Sequence, residues 1–341
     1  MKVSDFDFEL PQELIAQKPL EKRDESRLLI LDRNKGNLEE KKFYEIIDCL
    51  HPGDILVLNE TRVKPARLYG HKYKSGGKVE ILLLQPQNSQ LEWKALAKPG
   101  RRLKPGTYLN FGGIEKAARI TSTTPEGGRI IEFSSPQTLQ KAIDSSGELP
   151  LPPYIKEKLD NPEKYQTVFA RREGSIAAPT AGLHFTENLL ERIKNNGVDL
   201  ARVTLHIGYD TFKPVEAERI EEHKMHTEEI EVSADTADFL NQARREKRRI
   251  IAVGTTVVRT LESSFMEGQI TAGRRETDLF IYPGYRFDVI DALITNFHLP
   301  RSSLLMLVCA FAGWEEVLRA YQYAVENRFR FFSFGDAMFL K

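Results

Sequence analysis

The stretch Ile250-Ile-Ala-Val-Gly254-Thr-Thr-Val-Val-Arg259-Thr-Leu261 reads as a short buried strand, a glycine turn and a helix in direct succession. Four apolar residues ahead of a glycine fit a strand covered on both faces, and the run from Val257 to Glu267 has helical spacing. Gly254 lets the backbone turn and lets a ligand come close, while Thr255 and Thr256 add hydroxyls where the first N–H groups of a helix have no partners of their own. A carboxylate or phosphate fits such a place, and Arg259 lies about one turn further on. The pattern is neither a Walker loop nor a G-x-G-x-x-G fingerprint, and a threonine that merely caps the helix explains it equally well.

Working outward, strands and helices alternate on both sides. Asp199–Ile207 is an expected strand ending in His206 and Gly208, Asp235–Arg249 an expected helix, and Gln166–Ala170, Asp278–Tyr282 and Ala292–Thr295 expected strands. Ser303–Ala312 and Trp314–Asn327 read as helices, and the aromatic tail Arg328–Leu340 packs back on the core. Residues 1–62 continue the α/β pattern. Arg27–Asp32 and Asp54–Leu58 read as strands and Phe43–Leu50 as a short helix, with Arg62 just past a strand end where ligands gather in open α/β sheets. Between Ala66 and Phe133 the character changes. Short alternating runs are separated by Gly76-Gly77, Pro99-Gly100, Pro105-Gly106, Gly112-Gly113 and Gly127-Gly128, the signature of a small all-β barrel or sandwich. The expectation is an α+β multidomain protein. Residues 1–62 and 156–341 form a discontinuous α/β domain with a mixed, barrel-like sheet, and residues 63–155 form an inserted β-barrel domain.

Composition narrows the class. Over 341 residues, 41% hydrophobic and 29% charged describe a globular chain with enough length for one or two cores. No apolar run approaches a membrane span, and Met1–Asp7 shows no secretory h-region. Cys49 and Cys309 sit in apolar surroundings and read as buried packers in a reducing, cytoplasmic compartment. With 49 basic and 49 acidic side chains, bulk charge does not mark a nucleic-acid binder, so any such footprint is a local patch. Arg101-Arg102 with Lys98 and Lys104, Arg171-Arg172, Arg274-Arg275 and Arg244–Arg249 are the candidates, each also explained as a solvated face.

Chemistry-bearing groups cluster at loops. Gly174-Ser-Ile-Ala-Ala-Pro-Thr180-Ala-Gly182-Leu-His184-Phe-Thr186 is uncharged from Ser175 onward if His184 is neutral. Pro179 and Gly182 bar a regular helix there, and Thr186 is placed to cap the helix Glu187–Asn196, which Gly197 ends. Leu293-Ile-Thr-Asn296-Phe-His298-Leu-Pro300 is a strand stopping in an amide and an imidazole on one side. Asp278 and Tyr282 add a carboxylate and a phenol. His223 and His226, at i, i+3 on one helical face, could bind a metal with Glu222 and Glu228, but no third firm ligand is evident and solvated acidic surface explains the run Glu216–Glu231 better. No metal set, thiol pair or dinucleotide loop is present, which suits a large polar small molecule bound without a prosthetic group.

These stretches together resemble one family, the S-adenosylmethionine:tRNA ribosyltransferase-isomerases of queuosine biosynthesis. The resemblance rests on Arg23-Asp-Glu-Ser-Arg27, Leu58-Asn-Glu-Thr-Arg62-Val-Lys-Pro-Ala-Arg67, Leu149-Pro-Leu-Pro-Pro-Tyr-Ile155, Ala177–Thr186, Thr204-Leu-His-Ile-Gly208, His223-Lys-Met-His226, Ala252–Thr256 with Arg259–Ser263, Thr277–Gly284, Leu293–Pro300, and Ala324–Arg328 through Gly335–Ala337. It covers essentially the whole chain in order. One departure is Gly208-Tyr-Asp-Thr-Phe212, where the family has Gly-x-Gly-Thr-Phe, so Asp210 replaces a flexible glycine.

The resemblance implies a tRNA substrate carrying 7-aminomethyl-7-deazaguanine at the wobble position. The ribosyl part of S-adenosylmethionine would be transferred and rearranged to epoxyqueuosine, with release of adenine and methionine. It also implies a cytoplasmic monomer with no metal, for which S-adenosylmethionine is a co-substrate and not a cofactor. On that basis His184 is the leading general base, with Asp278 as rival, and His298 or His206 protonates the departing purine. Gly254, Thr255, Thr256 and Arg259 hold the methionine carboxylate, and Thr180, Gly182 and Asn296 contact ribose or base. Arg62, Arg101 and Arg102 contact tRNA phosphates, the target base being already single-stranded in the anticodon loop. The competing classes are an S-adenosylmethionine-dependent RNA methyltransferase, whose Gly-rich loop is missing here, and a non-catalytic RNA-binding protein, against which the charge balance speaks.

Overall fold

The structure is a computed structural model that describes all residues except 88, 158, 213 and 214 and the side chains of Asp210 and Phe212. The chain divides into two units, Met1–Arg62 with Pro153–Lys341, and Val63–Pro152.

The first unit is built on a nine-stranded mixed sheet. Its strands are β1 (Arg27–Leu31), β2 (Leu38–Lys42), β3 (Ile55–Asn59), β4 (Asp199–His206), β5 (Glu228–Val232), β6 (Ile250–Val253), β7 (Gly273–Thr277), β8 (Ala292–Asn296) and β9 (Ala337–Leu340), in the spatial order β7-β5-β4-β3-β6-β8-β9-β1-β2. The inner strands β4, β3, β6 and β8 run parallel, while β5 and β7 on one side and β9 against β8 are antiparallel. Alternation along the inner strands sends side chains into two cores. Ile55, Val57, Ile250, Ala252 and Leu293 meet Val257, Leu261 and Leu305 on one face. Leu56, Leu58, Ile251, Val253 and Ile294 meet Phe185, Leu189 and Ile193 on the other. Covering both faces is what a parallel sheet requires, and it explains why these strands are continuously apolar.

The helices that supply the cover are α1 (Glu187–Asn195), α2 (Ala234–Arg245), α3 (Thr255–Ser264), α4 (Ser303–Ala312) and α5 (Trp314–Glu326). Their ends follow the side chains. Thr186 caps α1 by accepting from the Leu189 N–H at 3.1 Å, and Ser302 caps α4 by accepting from the Leu305 N–H at 3.2 Å. Gly254, at φ 91°, makes the turn from β6 into α3 that a side chain would strain.

The second unit is a small barrel. Strands Arg67–Lys72, Lys78–Pro86, Glu92–Lys98, Arg129–Phe133, Ile114–Thr123 and Tyr108–Phe111 pair in that order, and His71↔Asn110 with Lys72↔Leu109 closes the circle. Helix Pro136–Ser146 follows the barrel strands, capped by Ser135. The expected fold class, a mixed α/β sheet with a small all-β barrel, is what the chain adopts.

Three local expectations need correction. Gln166–Ala170 is not a strand; the extended segment is Arg172–Ser175, and residues 162–165 form a single turn that begins at a proline. Asp278–Tyr282 is irregular, because β7 ends at Thr277, where the Thr277 hydroxyl accepts from the Leu279 N–H at 3.1 Å and closes a turn. His223 and His226 do not share a helical face: one short turn, Ile220–Glu222, precedes them, and the chain then runs irregularly into β5.

Tyr321 of α5 ties the end of β8 to the helical layer by accepting from the His298 N–H at 2.9 Å, and both groups are buried. Tyr321→Phe would leave that N–H without an acceptor. The expected loss is about 1–3 kcal/mol, read as a lower urea midpoint with an unchanged slope.

Candidate active site

All four inner parallel strands end at one pole, and a cavity opens there. Its wall is built from Ala177–Ala181, Gly254–Thr256, Thr295–Leu299 and Ser302–Leu304, with Tyr154, Ile207, Thr211, Met225, His226, Glu228, Arg259, Phe332 and Ser333. Two helices begin in it. The Leu305 N–H of α4 is taken by its Ser302 cap and the Val257 N–H of α3 by the Gly254 carbonyl, which leaves the N–H groups of Thr255, Thr256, Ser303 and Leu304, with the positive ends of the two dipoles, facing the same space.

Asn59 braces the α3 end. Its amide donates to the Leu205 carbonyl at 3.1 Å and to Thr256 Oγ1 at 3.2 Å, while its oxygen accepts from the N–H groups of Thr61 and Leu205, both at 3.1 Å. One side chain therefore fixes β3, β4 and the start of α3 to one another.

Glu228 is the most constrained group at the site. It lies on β5 with Ile230 and Val232 on the inward face, and it is buried. Arg259 donates to it from α3, the Gly208 N–H from 3.0 Å and the Thr211 hydroxyl from 3.1 Å, and His226 Nε2 stands 3.3 Å away. Burial alone would raise its pKa. The His226 hydrogen bond, the charges of Arg259 and His226, and the Gly208 N–H overcome that and hold it down to about 2. Glu228 is thus an anion that backs the imidazole of His226, and no bond to His226 Nδ1 exists among the described residues.

The other histidines differ. His298 is buried in the wall with Nε2 2.8 Å from Thr295 Oγ1, and burial pushes its pKa down to about 3. His184 lies behind the wall and not in it. Its Nδ1 is 2.8 Å from Ser26 Oγ, its Nε2 is 3.1 Å from Asn296 Nδ2, and Phe43 stacks on the ring at 4.9 Å. Burial, reinforced by the charges of Arg330 and Arg23, lowers its pKa to about 3. Both nitrogens are committed, so the ring is neutral and has no site for a substrate proton. His206 also stands outside the cavity, bonded to Thr61 Oγ1 at 2.8 Å.

Of the remaining residues singled out in the sequence, the cavity gathers Thr180, Gly254, Thr255, Thr256, Arg259 and Asn296. Arg259 is not a free cation, because Glu228 neutralises it and the Leu279 carbonyl accepts its Nε–H at 3.0 Å. Gly182 is a packing position: a Cβ there would stand 2.7 Å from Phe169 Cζ. Asp278 is exposed and outside the cavity. Arg62 pairs with Glu163, and Arg101 and Arg102 are exposed on a turn of the barrel unit. Asp210 has its side chain outside the described residues. Among the described residues no group of three or more His, Cys, Asp or Glu could hold a metal, and no helix is long and apolar enough to cross a membrane.

Ser302 was not singled out in the sequence, and His226 and Glu228 were read there as a possible metal pair or as solvated acidic surface, not as a pair in the wall of a cavity. The alternation Glu228-Glu-Ile-Glu-Val232 carried the signal for Glu228: an acid sharing the face of Ile230 and Val232 must be buried and paired.

A largely apolar cavity with a few convergent polar groups, at the strand ends of an α/β unit, is the kind of place where such sheets bind small ligands. The sequence matches the family described as "Queuosine biosynthesis protein" over residues 3–340. Proteins of Natranaerobius thermophilus and Carboxydothermus hydrogenoformans, each named S-adenosylmethionine:tRNA ribosyltransferase-isomerase, are 51% and 56% identical to it over the full length of both chains. The crystal structure of the S-adenosylmethionine tRNA ribosyltransferase from Thermotoga maritima is 41% identical and aligns with a TM-score of 0.57 over 99% of this chain and 100% of that one. The chain therefore belongs to the queuosine biosynthesis family, as an enzyme of the ribosyltransferase-isomerase kind.

Removing the cation from the buried pair is the sharpest test of this geometry. Arg259→Met is expected to cost about 3–5 kcal/mol at neutral pH, because it strands the Glu228 carboxylate. Glu228 has its pKa near 2 in the folded chain and near the ordinary carboxylate value, ~4.3, when unfolded. Its stabilising contribution is therefore complete above about pH 4.3 and is lost as pH falls through about 2. In the variant that acid-range loss should disappear, as denaturant titrations from pH 7 downward would show.

Proposed function

We propose that this enzyme transfers the ribosyl moiety of S-adenosylmethionine to 7-aminomethyl-7-deazaguanine at the tRNA wobble position and rearranges it to epoxyqueuosine, releasing adenine and methionine. The observation that carries the reading is the carboxylate-backed imidazole of His226 in a cavity that two helix N-termini share. The relatives' names supply the substrates.

The reaction asks for three things. A carboxylate of the methionine part needs donors, which the open N–H groups at Thr255 and Thr256 offer. The sulfonium acidifies the neighbouring C5′ hydrogens only weakly, so a positioned base must act where water is excluded. His226 suits that role, with Glu228 orienting it from 3.3 Å. Departure of adenine requires a proton at the purine; the proton that His226 takes from C5′ would be its source, while His298, neutral and buried beside Thr295, would offer the purine a hydrogen bond and not a proton. Thr180 and Asn296 contact the ribose or the base. The exposed Arg101 and Arg102 engage tRNA phosphates, and we assign the protein to the cytoplasm as a monomer.

With S-adenosylmethionine and tRNA bearing the aminomethyl-deazaguanine, equal amounts of adenine and methionine should appear by chromatography, and only when that tRNA is present. His226→Ala should lower kcat by about 10²–10⁴-fold while tRNA binding persists. S-adenosylhomocysteine as product would mean methyl transfer, and an undiminished His226→Ala would remove that histidine from the chemistry. Arg101→Ala with Arg102→Ala should weaken tRNA binding and reduce its salt slope by about 1–2; an unchanged slope would place the phosphate contacts elsewhere.

A further inference from the structure

Asn296 ends β8 in the cavity wall and is 2% exposed. Its amide nitrogen has spent both hydrogens, one on the Phe332 carbonyl and one on His184 Nε2, each at 3.1 Å. The Phe332 carbonyl can only accept, so turning the amide over would set two oxygens against each other. The orientation is therefore fixed without appeal to the ligand. It follows that His184 Nε2 accepts, that the ring proton is on Nδ1, and that Nδ1–H donates to Ser26 Oγ at 2.8 Å. Phe43, stacked on the ring at 4.9 Å and 27°, holds its plane. One atom is left over: Asn296 Oδ1 is buried and has no partner. A buried amide oxygen without a donor is costly, and a site that keeps one has a use for it.

We propose that Ser26, His184 and Asn296 form a fixed relay that presents Asn296 Oδ1 to the cavity as an acceptor, so that the site selects a ligand carrying an N–H or O–H donor at that point. Asn296 touches the ligand; His184 and Ser26 are positioning residues that act through it. The inference rests on the reading of S-adenosylmethionine as co-substrate. An adenosine offers two sources of such a donor, the exocyclic amine of the purine and the hydroxyls of the ribose. The relay demands a neutral His184, since a proton on Nε2 would face the amide N–H. The uncharged stretch from Ser175 to Leu183 and the stacked Phe43 provide that setting.

The test is calorimetric binding to the full-length protein of S-adenosylmethionine and of three analogues, one lacking the 6-amino group, one the 2′-hydroxyl and one the 3′-hydroxyl. Wild type should bind one of the three at least about 10-fold more weakly than the parent, because that analogue leaves Oδ1 unpaired, and the analogue that loses affinity identifies the donor. Asn296→Leu should bind parent and analogue within about 2-fold of each other. His184→Ala should lose most of the discrimination, and His184→Gln, whose amide can accept from Asn296 and donate toward Ser26, should recover part of it. A ratio of affinities is insensitive to general loosening of the fold, and the wild-type series stands even if His184→Ala does not fold. Equal binding of all four ligands by wild type would overturn the proposal while leaving the co-substrate reading intact. Full discrimination in folded His184→Ala would remove His184 from the relay. A wild type that binds none of the four would sink the co-substrate reading, and the proposal with it.

Discussion

A carboxylate in the interior must be neutralised where it stands, and Glu228 sets that constraint for the whole pole of the molecule. Its partners come from separate elements: Arg259 from α3, His226 from the approach to β5, and Gly208 and Thr211 from the segment after β4. Each must be in place for the charge to be tolerated. The pair therefore does for the cavity what the apolar cores do for the sheet, fixing which segments meet and in what register. A hydrophobic pair of the same volume would hold α3 against β5 as well, but it would leave His226 without the anion that orients it. On the proposed mechanism, activity and stability would draw on the same four contacts.

The cavity's charge is consequently not that of its side chains. Arg259 is neutralised by Glu228, and His184 and His298 are kept uncharged by burial. What remains positive is backbone: the opening turns of α3 and α4. A zwitterionic ligand suits such a place. Its carboxylate can take the open N–H groups, while its cationic portion meets, among the described residues of the wall, no lysine and no arginine but the neutralised Arg259.

How legible this was in the sequence follows from where the chemistry sits. The sheet was legible because its inner strands are apolar on both faces and end in glycine or polar turns, as Ile250–Gly254 and Leu293–Asn296 do. β2, Leu38-Glu-Glu-Lys-Lys42, was not, because an edge strand facing solvent has no apolar alternation to show. The start of α3 was legible from Gly254-Thr255-Thr256 alone. Glu228 was hidden in an acidic run: its neighbours Glu229 and Glu231 face outward on the same strand, and composition hides an alternation that side-chain direction makes plain.

His184 shows the limit most clearly. A lone histidine in an uncharged loop invites a catalytic reading, and the local pattern that makes it attractive is the same one that buries it. Small residues from Ser175 to Gly182 let the loop pack closely, as the contact distance at Gly182 shows, and close packing is what closes the ring in against Phe43, Ser26 and Asn296. Ser26 is 158 residues away and Asn296 112 residues away in the chain. No spacing rule connects them; only the strand order does, which brings the segment before β1 and the end of β8 to the same side of the sheet. The histidine's influence on the cavity then runs through an amide it orients, which is a property of three distant residues together and of none of them alone.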